Sequence, residues 1–105
     1  MTQAANNFDM WVANIISKRP NFESEYMDAI LEETNDSKVI LSALKQIALA
    51  QGINKVAQAA GMPRVTISRA LSAKGNPRMD TFLAIVDALG LHISFSKNAP
   101  ILHST

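Results

Sequence analysis

Between Ile53 and Leu71 the chain reads INKVAQAAGMPRVTISRAL, and few folds accommodate it. Apolar residues recur there at helical spacing, and Gly61-Met62-Pro63 breaks the run with a residue tolerant of positive φ and one that lacks an N–H. The spacing predicts two short helices, Asn54 to Ala60 and Arg64 to Leu71, joined by that turn: a helix-turn-helix. Ala57 is small where the first helix must cross close over the second, and Gly61 supplies the backbone that a sharp turn after a helix needs. Met62, Ile67 and Leu71 are placed to seal the angle, and Pro63 stands at a helix start, where a missing N–H costs nothing. Arg64, Val65, Thr66, Ser68 and Arg69 remain outward on the second helix. Such a surface suits a major groove, because an arginine forks onto a guanine edge while threonine and valine methyls meet a thymine methyl. The plainer reading, a helical hairpin inside an all-α core, would cover a lone Ala-x-x-x-Gly, but here Val56-Ala57, Gly61-Met62, Thr66-Ile67-Ser68 and Leu71 all fall in register.

Charge is distributed very unevenly along the chain. Ten Lys and Arg face nine Asp and Glu, a net of +1. Residues 1–37, however, hold Lys18 and Arg19 against seven carboxylates, a net of −5. Residues 38–79 hold Lys38, Lys45, Lys55, Arg64, Arg69, Lys74 and Arg78 and no carboxylate. The cationic stretch coincides with the helix-turn-helix, the footprint expected of a phosphate-binding surface.

The 105 residues suffice for one modest core. Residues 1–7 are polar and expected to fray. Phe8, Trp11, Val12, Ile15 and Ile16 predict a first helix, which Arg19-Pro20 should stop. Its apolar face is expected to pack on the chain's own core, with docking of a partner as the alternative. Asn21 or Ser24 could cap a second helix, with Phe22, Tyr26, Met27, Ile30 and Leu31 inward and Glu23, Glu25, Asp28, Glu32 and Glu33 outward. That acidic face is either merely solvated, turned to a basic partner, or a means of keeping this end off DNA. Asp36-Ser37 should cap a third helix, with Ile40, Leu44, Ile47 and Ala48 inward, Lys38 and Lys45 on its other side and Gly52 at its end. After the helix-turn-helix, the loop Ser72 to Pro77 places Lys74, Gly75, Asn76 and Arg78 as natural phosphate contacts, with Asn76-Pro77 capping a helix from Arg78 to Leu89. That helix should bury Met79, Phe82, Ile85, Val86 and Leu89.

Beyond Gly90, Leu91-His92-Ile93-Ser94-Phe95-Ser96 alternates strictly and argues a strand with Leu91, Ile93 and Phe95 on one side. A lone strand cannot satisfy its backbone groups, so it needs a partner: the same strand of a second copy about a two-fold axis, or another protein's sheet edge. A homodimer would present two recognition helices to a palindromic operator in double-stranded DNA. The organisation expected is an acidic helical extension over 1–37, the DNA-binding unit over 38–96 and a flexible tail over 97–105.

From about Asp28 to Phe95 the chain resembles the Xre/Cro-like helix-turn-helix class, and more narrowly the addiction-module antidote proteins, the HigA-like antitoxins. The likeness lies in LSALKQIALAQG, in the motif itself, in ISRALSAKGNPRMDTFLAIVDALGL and in the terminal HISF. Residues 1–27 match no part of that pattern. The resemblance implies an all-α, five- or six-helix, lambda-repressor-like domain with a short C-terminal β-strand, paired in a dimer. It also implies a repressor that binds its own promoter and, as an antidote, neutralises a RelE/ParE-like toxin. By that analogy Arg64, Val65, Thr66 and Arg69 touch bases, and Lys55, Ser68, Lys74, Asn76 and Arg78 the DNA backbone.

Catalysis finds little support. His92 falls on the polar side of the expected strand and His103 in the tail, with no carboxylate at ligand spacing, and no glycine-rich phosphate loop precedes a helix. The chain contains no cysteine, which removes disulfides and thiol-bound zinc, and neither metal nor cofactor is expected. No apolar run approaches the ~18 residues of a membrane span, and the N-terminus lacks a signal-peptide pattern, so the expected location is cytoplasmic. Two rivals to the antitoxin reading remain at this level: a stand-alone Xre-type regulator and a protein-interaction adaptor that keeps the helix-turn-helix shape without reading DNA.

Overall fold

A computed structural model describes residues 7–97. The expectations of a frayed start and a flexible tail therefore fall, Asn7 and Lys97 apart, outside the described residues. Six helices follow in order: α1 (Asn7–Ser17), α2 (Phe22–Glu33), α3 (Ser37–Gln51), α4 (Ile53–Ala60), α5 (Arg64–Ala70) and α6 (Met79–Ala88). Helices α1 and α2 both lie on α3, while α4 packs on α3, α5 and α6. The all-α class expected from the sequence is the architecture observed.

A single core joins the front helices to the rest. Ile16 of α1, Ile47 of α3, Val56 of α4, Ile67 of α5, Leu71 at its end and Ile85 of α6 are the largest side chains withdrawn from water. Each contributes roughly 1.5–3 kcal/mol through removal of apolar surface. Met27 of α2 joins the same cluster, with Phe22, Tyr26 and Ile30 packed at its edge.

Several boundaries follow the local chemistry. Asp36 caps α3 by accepting the Lys38 N–H at 3.0 Å. At the end of α4, Gly61 adopts φ 67°, its N–H reaches the Gln58 carbonyl at 3.2 Å, and the Met62 N–H reaches the Ala57 carbonyl at 3.1 Å. That paired closure satisfies two terminal carbonyls and tucks Met62 against the core. Gly90 repeats the device after α6: its N–H donates to Asp87 and the Leu91 N–H to the Val86 carbonyl at 3.1 Å.

The structure corrects other expectations. Asn21 precedes α2 with a left-handed backbone, φ 64°, but its side chain makes no capping bond, and Ser24 lies inside the helix. Arg78, not Asn76, holds the cap position of α6, its carbonyl accepting the Phe82 N–H at 2.9 Å. Met79 is 69% exposed, because Phe82 one turn later is the first α6 residue to meet the core. On α1 the buried face is Asp9, Val12, Ala13 and Ile16, whereas Phe8 and Trp11 are about 60% exposed with ring centroids 6.0 Å apart.

The expected strand is not formed: Leu91 to Lys97 is irregular, and no strand occurs among the described residues. A ladder needs a second edge, and every other element among the described residues is a helix, so no described residue offers this segment one. Leu91 packs at the edge of the core under the α6 closure, Ile93 is half exposed, and Phe95 stands almost wholly in solvent.

Candidate nucleic-acid interface

Helix α5 is held by its inner face and leaves the other free. Ile67, Ala70 and Leu71 are buried, whereas Arg64, Val65 and Arg69 are exposed and Thr66 and Ser68 half-buried. Pro63 stands just ahead of the helix with an extended backbone, and its carbonyl accepts the N–H groups of Thr66 and Ile67 at 3.0 and 3.3 Å. The two arginines lie five positions apart on one helix, about 140° apart around its axis, so they stand on opposite flanks of the solvent face.

The loop after α5 is pressed onto its last turn. Ser72 Oγ donates to the Arg69 carbonyl at 2.9 Å, and the Gly75 N–H donates to the Ser72 carbonyl at 2.9 Å. A Cβ on Gly75 would lie 2.1 Å from the Ala70 carbonyl oxygen, so only glycine fits that approach. This packing sets exposed Lys74 and Asn76 beside the end of α5, while Lys55 is exposed on α4.

Electrostatics separate these cations into two groups. Lys55, Arg64, Arg69 and Lys74 make no ion pair with any described residue. Arg78, in contrast, has its Nε 3.4 Å from Asp80 Oδ1, both side chains standing in solvent. Lys45 leaves the expected basic face altogether: its Nζ is 2.8 Å from Asp9 Oδ2, and the Asp9 side chain is only 3% exposed.

The Asp9 cluster is what sequence reasoning missed. Gln46 Nε2 donates to Asp9 Oδ1 at 2.9 Å, and the Tyr26 hydroxyl donates to Gln46 Oε1. Burial raises the Tyr26 phenol above its ordinary value, and the Asp9 charge raises it further. Three helices are thereby tied by one polar chain. The signal was present in the helical phase, since Asp9, Val12, Ala13 and Ile16 share one face as regularly as Phe8, Trp11 and Ile15 share another.

No group of three or more His, Asp or Glu among the described residues could hold a metal ion, and no described helix is long and apolar enough to cross a membrane.

Fold and surface together define a small all-helical protein built on a helix-turn-helix-shaped unit, with cations on the open side of its second helix. Residues 5–97 match the family described as "Probable addiction module antidote protein". Over 98 residues the chain is 34% identical to an uncharacterised protein of Haemophilus influenzae, an alignment covering 93% of this chain and 97% of that one. No solved structure matches. The chain belongs to this family of probable addiction module antidote proteins. The match begins at residue 5, so α1 and most of the segment that the sequence resemblance left unplaced fall within the family pattern.

Proposed function

We propose that this chain is the antitoxin of a type II toxin-antitoxin module, an Xre/Cro-like, HigA-like repressor of its own operon that also neutralises a RelE/ParE-like toxin. The observation that carries the DNA-binding half is the α5 surface, where Arg64 and Arg69 stand exposed and clear of every described carboxylate. In this reading α5 enters the major groove with Arg64, Val65, Thr66 and Arg69 at base edges, and Lys55, Ser68, Lys74, Asn76 and Arg78 meet the backbone. Family membership supports the antidote half. A homodimer completes the reading: a second copy would supply the missing edge to Leu91, Ile93 and Phe95 and set two α5 helices on a palindromic operator.

The test measures binding to operator and to random DNA. Arg64→Ala and Arg69→Ala should each cost roughly 1–3 kcal/mol on the operator and relax preference at one base pair, while Lys74→Ala weakens both DNAs alike. Equal losses on both DNAs for all three variants would refute the assignment of roles. Absence of any sequence preference in the unsubstituted chain would refute DNA reading itself.

A further inference from the structure

Away from α5, an open groove of about 440 Å³ runs between α2, α3, α6 and the segment after Gly90. Its floor is apolar, formed by Met27, Ile40, Leu44, Phe82, Val86 and Leu91. Helix α2 makes one wall, setting Ser24, Asp28 and Leu31 against the groove at one-turn intervals. Leu31 is 52% exposed although it borders this apolar surface.

The charge along that wall is unmatched. Glu25, Asp28 and Glu32 recur three and four positions apart, so they form one row beside the groove. None of them makes an ion pair with any described residue. Like charges at this spacing destabilise a helix, and no described residue relieves them. The opposite side contributes His92, Ile93 and Ser94 and no carboxylate.

An apolar floor with one anionic wall is complementary to a segment that is apolar on one stripe and cationic beside it. We infer that the groove seats a cationic amphipathic segment of a partner protein, its apolar side chains on Leu31, Ile40 and Phe82 and its Lys or Arg side chains on Asp28 and Glu32. This inference rests on the antitoxin reading, under which the partner is the toxin. Arg64, Val65 and Arg69 do not line the groove, so DNA and toxin occupy separate surfaces.

The experiment uses the full chain and the purified toxin encoded beside it. Asp28→Lys with Glu32→Lys reverses the wall at two exposed positions. It should weaken toxin affinity about tenfold or more, because each reversal sets like charges against each other, and should leave operator affinity unchanged. On the unsubstituted chain, toxin should shift the methyl NMR signals of Leu31 and Ile40, which line the groove with free surface, a readout independent of whether the variant folds. Toxin affinity unaltered by the reversal, or shifts that spare those methyls, would overturn the inference and leave the antitoxin reading standing. A reversal that turns a dimeric free chain into monomers would assign the groove to a second copy and also overturn it. An unsubstituted chain that binds operator but no toxin would defeat the antitoxin reading, and this inference with it.

Discussion

Replacing Lys45 with methionine gives the sharpest test of how the front helix is attached. The substitution keeps most of the stem and removes the cation 2.8 Å from a carboxylate whose side chain is 3% exposed. Taking away one member of a buried ion pair costs roughly 3–5 kcal/mol. The Lys45 side chain is 18% exposed, so water relieves part of the penalty and about 3 kcal/mol is expected. At about 4–8 °C per kcal/mol for a domain of this size, the melting temperature should fall by about 12–24 °C. Asp9→Asn in the same background removes the buried charge while its amide oxygen still accepts from Gln46. The double variant should therefore recover about half of the loss or more. Urea unfolding at constant m-value measures the single changes, the double change and their coupling. A loss below about 0.5 kcal/mol for Lys45→Met, or strictly additive single effects, would refute a functional pairing of the two charges.

Two further outcomes follow from the packing. Gly75→Ala puts a Cβ 2.1 Å from the Ala70 carbonyl oxygen, so the loop must move; the strain should cost roughly 1–3 kcal/mol in a urea melt and weaken the proposed contact of Lys74 with DNA, and unchanged stability would refute the close approach. The Tyr26 phenol is raised in the folded chain, so its share of stability is whole below the ordinary value of 10.0 and is lost as pH climbs through the folded value. Alkaline melts of Tyr26→Phe should accordingly fall less steeply above about pH 10 than those of the unsubstituted chain, and parallel curves would refute it.

The elements legible in the sequence were those fixed by near neighbours. Asp36 precedes a helix-forming run and caps it, and Gly61 ends α4 because the turn demands a left-handed residue. The inward phase of α5 could be read because Ile67 and Leu71 recur one turn apart and both are buried. Helix α1 was harder, because it carries two stripes of comparable regularity. Hydrophobicity alone selects Phe8 and Trp11, but the core takes Val12 and Ile16 with Asp9 between them and their end of the helix, since Lys45 and Gln46 on a helix distant in sequence receive the carboxylate. No local rule announces that partnership. Residues 91–95 alternate like a strand, yet Leu91 is claimed by the closure of α6, and pairing depends on an edge that the described residues do not contain. Met79 shows the limit of periodicity in another way: it shares the phase of Phe82 but precedes the packed surface.

The same distinction between a charge present in the sequence and a charge available at the surface sets the salt dependence expected of the proposed DNA binding. Seven cations lie between residues 38 and 79, and seven phosphate contacts would give a log–log slope of about −6.3 per chain. Lys45 is committed to Asp9, and Arg64 and Arg69 are directed to base edges in the proposed complex. Lys38 stands in the first turn of α3, ahead of the helix-turn-helix, so Lys55, Lys74 and Arg78 are the cations assigned to phosphate, for a slope of about −2.7 per chain. Arg78 is shared with Asp80, and if that exposed pair persists on DNA the slope drops to about −1.8. Asp80→Ala should restore the steeper value, because it frees the guanidinium without touching the helix-turn-helix core. A slope near −6 in the unsubstituted chain would mean that cations held inward or pointed elsewhere also meet phosphate, and the assignment of α5 and its loop as the contact surface would have to be redrawn.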